Sequence, residues 1–205
     1  MKHSATSIKT WVNCPRLFKA KYVDRLIPYQ QSPAAARGEQ IHAELEDAVR
    51  NGTKPSVWTP PGLVDLLHKA KALVEGEVAV NYNFDPVDYK SKDAWLRGKI
   101  DARVVRGGKA LVVDWKTGKV RPDKIQADMY TALVSSIDHA NEVEFRLVYV
   151  DQKQVVNLSR DSQAWDRIRK LAYKIEQDRD FLPNPSWLCK WCDFTACRYN
   201  ERRDS

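Results

Sequence analysis

The chain has 205 residues, 43% of them hydrophobic and 30% charged, with 34 Lys and Arg against 27 Asp and Glu for a net charge of +7. These values describe one folded domain of ordinary size and exclude a disordered or fibrous chain, while unbroken apolar runs of at most four residues, as at Ala110–Val113, exclude a transmembrane helix. The first ten residues offer no apolar stretch of signal-peptide length and the four cysteines follow no secretory pattern, so a cytoplasmic setting is expected; the basic excess suits a polyanionic partner.

In chain order, Ser4 to Tyr22 places Ile8, Trp11, Val12, Phe18 and Tyr22 at helical spacing, with a kink or break at Pro15. Ala34 to Arg50 carries Ile41, Leu45, Ala48 and Val49 on one face and stops at Asn51-Gly52. After Pro60-Pro61-Gly62, the spacing of Leu63, Leu66, Leu67, Ala70, Leu73 and Val74 predicts a third amphipathic helix. The period then changes to two: Leu96, Gly98, Ile100, Ala102 and Val104 alternate with Arg97, Lys99, Asp101, Arg103 and Val105, the rhythm of a half-buried strand. Arg106-Gly107-Gly108-Lys109 predicts a tight turn into a second strand, Ala110 to Trp115. A helix over Lys124 to Ile137, strands at Val143 to Val150 and Gln154 to Leu158, and a helix from Ser162 to Arg179 follow. Beyond Phe181, two prolines and three cysteines within nine residues predict a tail stapled by metal or by packing. The whole is an α/β chain in one domain over 1–205, with a helical part about 1–80, a core about 81–160, and a helix and cysteine tail about 161–205.

The chemistry concentrates in Gly98-Lys99-Ile100-Asp101, the hairpin, and Val113-Asp114-Trp115-Lys116-Thr117-Gly118. Asp114 and Lys116 are two apart on a strand and leave the same face, and Asp101 on the antiparallel partner can face them. Phosphodiester hydrolysis uses this set: carboxylates to hold Mg²⁺ or Mn²⁺ and a cation beside the attacking water. The plain alternative is three exposed residues of a two-faced hairpin. Against it, the apolar run Ala110–Val113 leads straight into two charged groups, which is costly to bury unless they pair or bind metal.

These residues, with Cys14-Pro15-Arg16, Gly38-x-x-x-His42, Gln126-x-x-x-Tyr130 and Cys189-x-x-Cys192-x4-Cys197, resemble the RecB-like branch of the PD-(D/E)XK nucleases, including the CRISPR-associated RecB-like exonucleases and the AddB nuclease domain. The resemblance spans nearly the whole chain and implies a restriction-endonuclease-like fold, a mixed central sheet flanked by helices. It implies that His42 joins Asp101 and Asp114 as a metal ligand. Gln126 and Tyr130, one helical turn apart, share a face that the resemblance turns toward the active site. Trp115 should point away and pack, leaving its backbone carbonyl for the metal. Cys189-x-x-Cys192 has the bite of a soft-metal chelate, with Cys197 a third thiolate. The resemblance adds Cys14 and a [4Fe-4S] cluster, Zn²⁺ on four thiolates being the alternative and buried free thiols the plainest account. His3, His68 and His139 lack such context and read as structural or exposed.

Basic residues gather near the proposed site as Arg97, Lys99, Lys116, Lys119, Arg121 and Lys124, and again as Arg198, Arg202 and Arg203. Of these, Lys119, Arg121 and Lys124 are the expected DNA contacts, although a solvated face would look the same. No base-reading element is evident. The expectation is a metal-dependent deoxyribonuclease, an exonuclease on single-stranded or frayed DNA, working in the cytoplasm with a helicase, recombination or CRISPR-adaptation partner; phage encoding is compatible. The rivals are a non-catalytic nucleic-acid-binding or partner-docking protein and a structure-specific endonuclease.

Overall fold

A computed structural model describes residues 1–159 and 163–202, and the side chain of Ser159 is left out. The expected start of the last helix at Ser162 and the cation Arg203 lie outside the described residues. Five strands form one sheet in the order β1 (Leu73–Val80), β2 (Leu96–Arg106), β3 (Lys109–Lys116), β4 (Glu142–Tyr149) and β5 (Gln154–Ser159). All neighbours are antiparallel except β3 and β4, which run parallel from Lys109↔Glu142 to Lys116↔Tyr149. A parallel pair requires a crossover, here helix α5 (Lys124–Ile137). The mixed five-stranded sheet flanked by helices is the restriction-endonuclease-like architecture.

Two apolar layers enclose the sheet. On one face, Met129, Leu133 and Val134 of α5 meet Ile168, Ala172 and Ile175 of α6 (Ala164–Gln177), with Ile8 of α1 (Ala5–Asn13) and Phe18 of α2 (Pro15–Phe18). On the other, Ile41, Leu45 and Val49 of α3 (Pro33–Asn51) join Leu63, Val64 and Leu67 of α4 (Leu63–Lys69) over Val113, Trp115 and Val148. Local chemistry sets the boundaries. Ser32 caps α3 ahead of Pro33, and Gly52 closes it at φ +68°. Gly107 and Gly108, at φ +53° and +75°, supply the left-handed pair that a two-residue hairpin needs. The helical segment from Ser4 to Tyr22 breaks at an extended Cys14 before Pro15 and ends in a wide π-turn over Lys19–Val23.

The third helix is shorter than its apolar spacing predicts. It ends at Lys69, Lys71 turns the chain at φ +55°, and Leu73 and Val74 open β1. The regular alternation expected along β2 also fails, at one point. Leu96 and Ile100 belong to the core on the α5 side and Gly98 touches Tyr130, whereas Ala102 and Val104 pack with the α3 and α4 residues. The inward face therefore changes between Ile100 and Ala102. Strand β1 changes with it, Val78 and Val80 facing α5 and Val74 facing α3 and α4, and Glu75 between them stands at φ +51°. A residue-long irregularity in both strands re-aims side chains, as bulges do. Among the described residues, no helix is long and apolar enough to cross a membrane.

The chain's first residues add a short parallel bridge, His3 to Leu96, through His3 N–H to Trp95 O at 2.7 Å and Arg97 N–H to His3 O at 2.9 Å. His3 is fully buried, with Nε2 3.2 Å from Glu176 Oε1 and Nδ1 without a partner. Burial lowers its pKa, only partly opposed by Glu176. Because the folded value lies below the unfolded one, the neutral ring's contribution is complete above about pH 6.5 and is lost as pH falls below it. Thermal melts from pH 8 to pH 5 should show the wild type losing stability faster below that point than His3→Asn. Parallel profiles would exclude this role for the ring.

Candidate active site

The β2–β3 ladder holds from Arg106↔Lys109 to Ala102↔Val113 and then opens, and side chains take over its hydrogen bonds. Trp115 N–H donates to Asp101 Oδ2 at 2.7 Å, and Tyr130 O–H donates to Lys99 O at 2.7 Å. The gap between the splayed strands, a candidate cleft, lies between Lys99 and Asp101 on β2 and Asp114 and Lys116 on β3. Trp115 turns its indole into the α3 and α4 core, at 2% exposure, so its neighbours face the cleft.

Helix α3 brings His42 over this opening. The helix passes close to the strand end at Gly38, where an added Cβ would stand 3.7 Å from Thr117 Oγ1, and His42 lies one turn on. Asp151 fixes the approach: Arg37 of α3 grips its two oxygens at 2.9 and 2.6 Å, and Gly118 N–H donates to it at 2.9 Å. The Arg37 hydrogen bonds, followed by Gly118, hold the Asp151 carboxyl below its ordinary value.

His42 Nδ1 lies 3.4 Å from Asp101 Oδ2 and 3.8 Å from Glu75 Oε1. One ligand atom from each of His42, Glu75 and Asp101 falls within 4.8 Å of the others, among the described residues the one such group of His, Cys, Asp or Glu. Periodicity alone does not point to Glu75, because the apolar spacing up to Val74 predicts a helix where the structure has β1. The signal that could have found it is an acid in Val74-Glu75-Gly76, just before the period-two valines Val78 and Val80. Its second oxygen pairs with the exposed Lys99 ammonium. Burial works to lower the His42 pKa, but Asp101 beside it, with Asp114 and Glu75, outweighs burial and raises it.

Asp114 is 2% exposed and lies one step deeper. Gln126 Nε2 donates to its Oδ1 at 2.6 Å, and Gln126 is placed by the Asp123 cap at the start of α5. Lys116 Nζ stands 2.6 Å from Oδ2, yet Oδ2 receives no well-directed hydrogen bond and remains a buried acceptor with capacity to spare. Burial, and then the negative Asp101, push Asp114 up to about 7, against the pull of Lys116. Burial also works against the Lys116 charge, but Asp114 and Asp101 more than offset it and its pKa is raised. Burial and Asp114 raise the Tyr130 phenol. The donor set of three carboxylates and an imidazole, with one orphaned oxygen, fits a hard divalent cation.

The remaining expected residues fall in two places. Lys119, Arg121 and Lys124 are exposed between β3 and α5, without ion pairs among the described residues, and Tyr149 O–H accepts from Arg121 N–H at 3.1 Å. Cys14, Cys189, Cys192 and Cys197 line one pocket of about 230 Å³ between the first helices and the tail. Burial, then the neighbouring Cys14 and Cys197 thiols, push the Cys192 thiol up. Ser186 N–H points at Cys189 Sγ at 3.4 Å, and buried Asn200 donates to Cys192 O and Phe194 O, both at 2.9 Å. No three of the four sulfurs lie within 4.8 Å of one another.

Gly98 is required by the ring beneath it: a Cβ there would stand 2.7 Å from Tyr130 Cε1 and 3.2 Å from Leu133 Cδ1. Gly98→Ala should destabilise by roughly 1–3 kcal/mol through overpacking, whereas Tyr130→Phe removes one hydrogen bond and should cost about 1 kcal/mol. Chemical denaturation of both variants measures this, and a Gly98→Ala protein as stable as wild type would refute the close contact.

Known proteins share this fold. The chain matches a crystal structure named SSO0001 with a TM-score of 0.60 at 19% identity, over 97% of this chain and 86% of that one. It also matches the crystal structure of a candidate exonuclease from Eubacterium rectale with a TM-score of 0.53 at 12% identity, over 93% and 86% of the two chains. At such identities the likeness shows the fold. No curated protein matches the sequence. The profile of the PD-(D/E)XK nuclease superfamily matches residues 2–197, and the chain belongs to that superfamily.

Proposed function

We propose that this nuclease is a metal-dependent deoxyribonuclease of the RecB-like branch, an exonuclease acting on single-stranded or frayed DNA ends. The observation that carries the reading is the meeting of His42, Glu75 and Asp101 with Lys116 and the undirected Asp114 Oδ2 at the splayed strand end. His42, Asp101 and Asp114, joined by Glu75 and the Trp115 carbonyl, would hold Mg²⁺ or Mn²⁺ in the two-metal form of phosphodiester hydrolysis; one nitrogen among oxygens favours Mn²⁺ somewhat. A cation held there would supply Lewis acidity toward the phosphate and would lower the pKa of the attacking water. Lys116 orients that water and offsets the charge that grows on the phosphate. Gln126 assists by holding Asp114 at Oδ1, which leaves Oδ2 without a directed hydrogen bond. Tyr130 assists by fixing the Lys99 backbone and with it the partner of Glu75. Lys119, Arg121 and Lys124 contact phosphates without reading sequence. Such a trimming activity fits a cytoplasmic partner of a helicase, or of recombination or CRISPR adaptation.

Cys14, Cys189, Cys192 and Cys197, which line one pocket, would hold a [4Fe-4S] cluster. Tetrahedral Zn²⁺ on the same four thiolates is the alternative. Elemental analysis after anaerobic purification should find iron. Cys192→Ala should lower thermal stability, since thiolate–metal bonding contributes on the order of 10 kcal/mol of folding free energy, while the catalytic hairpin keeps its affinity for Mn²⁺. Neither iron nor zinc at near-stoichiometric amounts would sink the cluster; zinc alone would replace it.

For the catalytic set, Asp101→Ala and Asp114→Ala should abolish cleavage and weaken Mn²⁺ binding, and Glu75→Gln should weaken Mn²⁺ binding as well. Lys116→Ala should bind metal and DNA nearly as wild type while turnover falls by roughly 10²-fold or more. Calorimetry with Mn²⁺ runs beside digestion of end-labelled linear and closed circular single strands. Wild-type turnover by Lys116→Ala would remove this cleft as the active site, and rapid cutting of circles would make the enzyme an endonuclease.

A further inference from the structure

Beside the metal-binding cleft, on the loop that leads into β2, Tyr89 carries the guanidinium of Arg97 4.9 Å from its ring centre. Both side chains are half-buried, and Arg97 makes no ion pair among the described residues. A cation left without a carboxylate and held in place by an aromatic ring is a preformed anion and stacking site, because desolvating it against a ring restricts its rotamers before any ligand arrives. Its position relative to the chemistry follows from the strand. Gly98 faces α5, so Arg97 and Lys99 face the other way, on the side where Glu75 and His42 lie. Asp101, Lys99 and Arg97 then succeed one another at two-residue steps of about 6.6–6.8 Å, close to one nucleotide of an extended single strand. The partner strand β3 has left β2 by this point, and the chain's first residues pair with β2 there, Arg97 N–H donating to His3 O at 2.9 Å.

We infer that Tyr89 and Arg97 form a nucleotide platform: the base next to the scissile phosphate of a single-stranded DNA stacks on the Tyr89–Arg97 pair while Arg97 contacts the adjoining phosphate. The inference rests on the nuclease reading above and specifies how that site takes its substrate. It defines a path along β2, distinct from the phosphate contacts proposed for Lys119, Arg121 and Lys124. Stacking on aromatic rings tolerates any base, so the platform would select for an unpaired strand and not for a sequence. A duplex keeps its bases stacked on each other and cannot offer one.

The test compares two phosphodiesters under Mn²⁺. Bis(p-nitrophenyl) phosphate has no neighbouring nucleotide, and an oligothymidylate has one at every position. Tyr89→Ala should raise the oligonucleotide KM roughly ten-fold or more, the scale of one base–aromatic stack, with little change in kcat and with unchanged hydrolysis of the small diester. Tyr89→Phe should restore the wild-type KM, and Arg97→Lys should restore only part of what Arg97→Ala loses. A Tyr89→Ala enzyme with wild-type KM for the oligonucleotide overturns the platform, and so does an equal loss on both substrates. Failure of the nuclease reading is seen separately, as hydrolysis of neither diester by the wild type. Fluorescence anisotropy with labelled oligothymidylate then still decides: Tyr89→Ala binding as tightly as wild type overturns the inference, and weaker binding by that variant, rescued by Tyr89→Phe, supports it.

Discussion

Placing the Asp114 carboxylate at 2% exposure, between the sheet and α5, obliges the protein to replace the water that such a group would otherwise hold. One oxygen is served by Gln126, the other by the charge of Lys116 without a directed hydrogen bond. The arrangement is incomplete by one ligand, and much of the surrounding structure maintains that incompleteness. The Asp123 cap aims Gln126, the indole of Trp115 anchors β3 from its other face, and Asp151 draws α3 down onto the strand end. A cation entering beside Asp114 would meet an acceptor already stripped of solvent, so the desolvation cost falls on folding and not on binding.

The irregular meeting of β1 and β2 gives the site its second wall. Where a regular ladder would set Glu75 and Asp101 in line with the core positions around them, the change of face lets both carboxylates turn toward His42. Strain at a non-glycine residue with φ +51° is tolerated because the residue's side chain is engaged on both oxygens, one near His42 and one on Lys99. Divergence of β2 from β3 a few residues away follows the same logic. Two main-chain groups at the end of the ladder are taken by side chains of the site, the Trp115 amide by Asp101 and the Lys99 carbonyl by Tyr130.

The hairpin, α3, α5 and the two later strands were legible in the sequence because each has one clean period and its own stop signal. Lys124–Ile137 is found to the residue, and Gly107-Gly108 marks its turn by backbone requirement alone. β1 was not legible. Leu63 to Val74 fits a helical spacing throughout, and only a left-handed Lys71, which side-chain pattern does not encode, separates helix from strand. Glu75 was lost with it. The meeting of Asp101, Asp114 and Lys116 was legible from spacing because the hairpin fixes their relation locally, whereas Arg37 and Asp151 are 114 residues apart and meet only through the fold. The cysteines were legible as a group for the opposite reason: soft ligands at chelating spacing stand out against any background, although the width of the pocket that collects them does not.

β1 is the outermost strand beside β2, and such an edge offers unpaired amides and carbonyls to any passing chain. Here the edge is blunted twice. Pro86, which has no amide hydrogen to give, bridges Val80 at one end, and the left-handed Glu75 kinks the backbone toward the other. A foreign strand would find fewer than five residues of straight template between them, Gly76 to Ala79. The backbone distortion that turns a carboxylate toward His42 thus also guards against aggregation, so a variant that straightened this strand would trade the grouping of His42, Glu75 and Asp101 for intermolecular pairing.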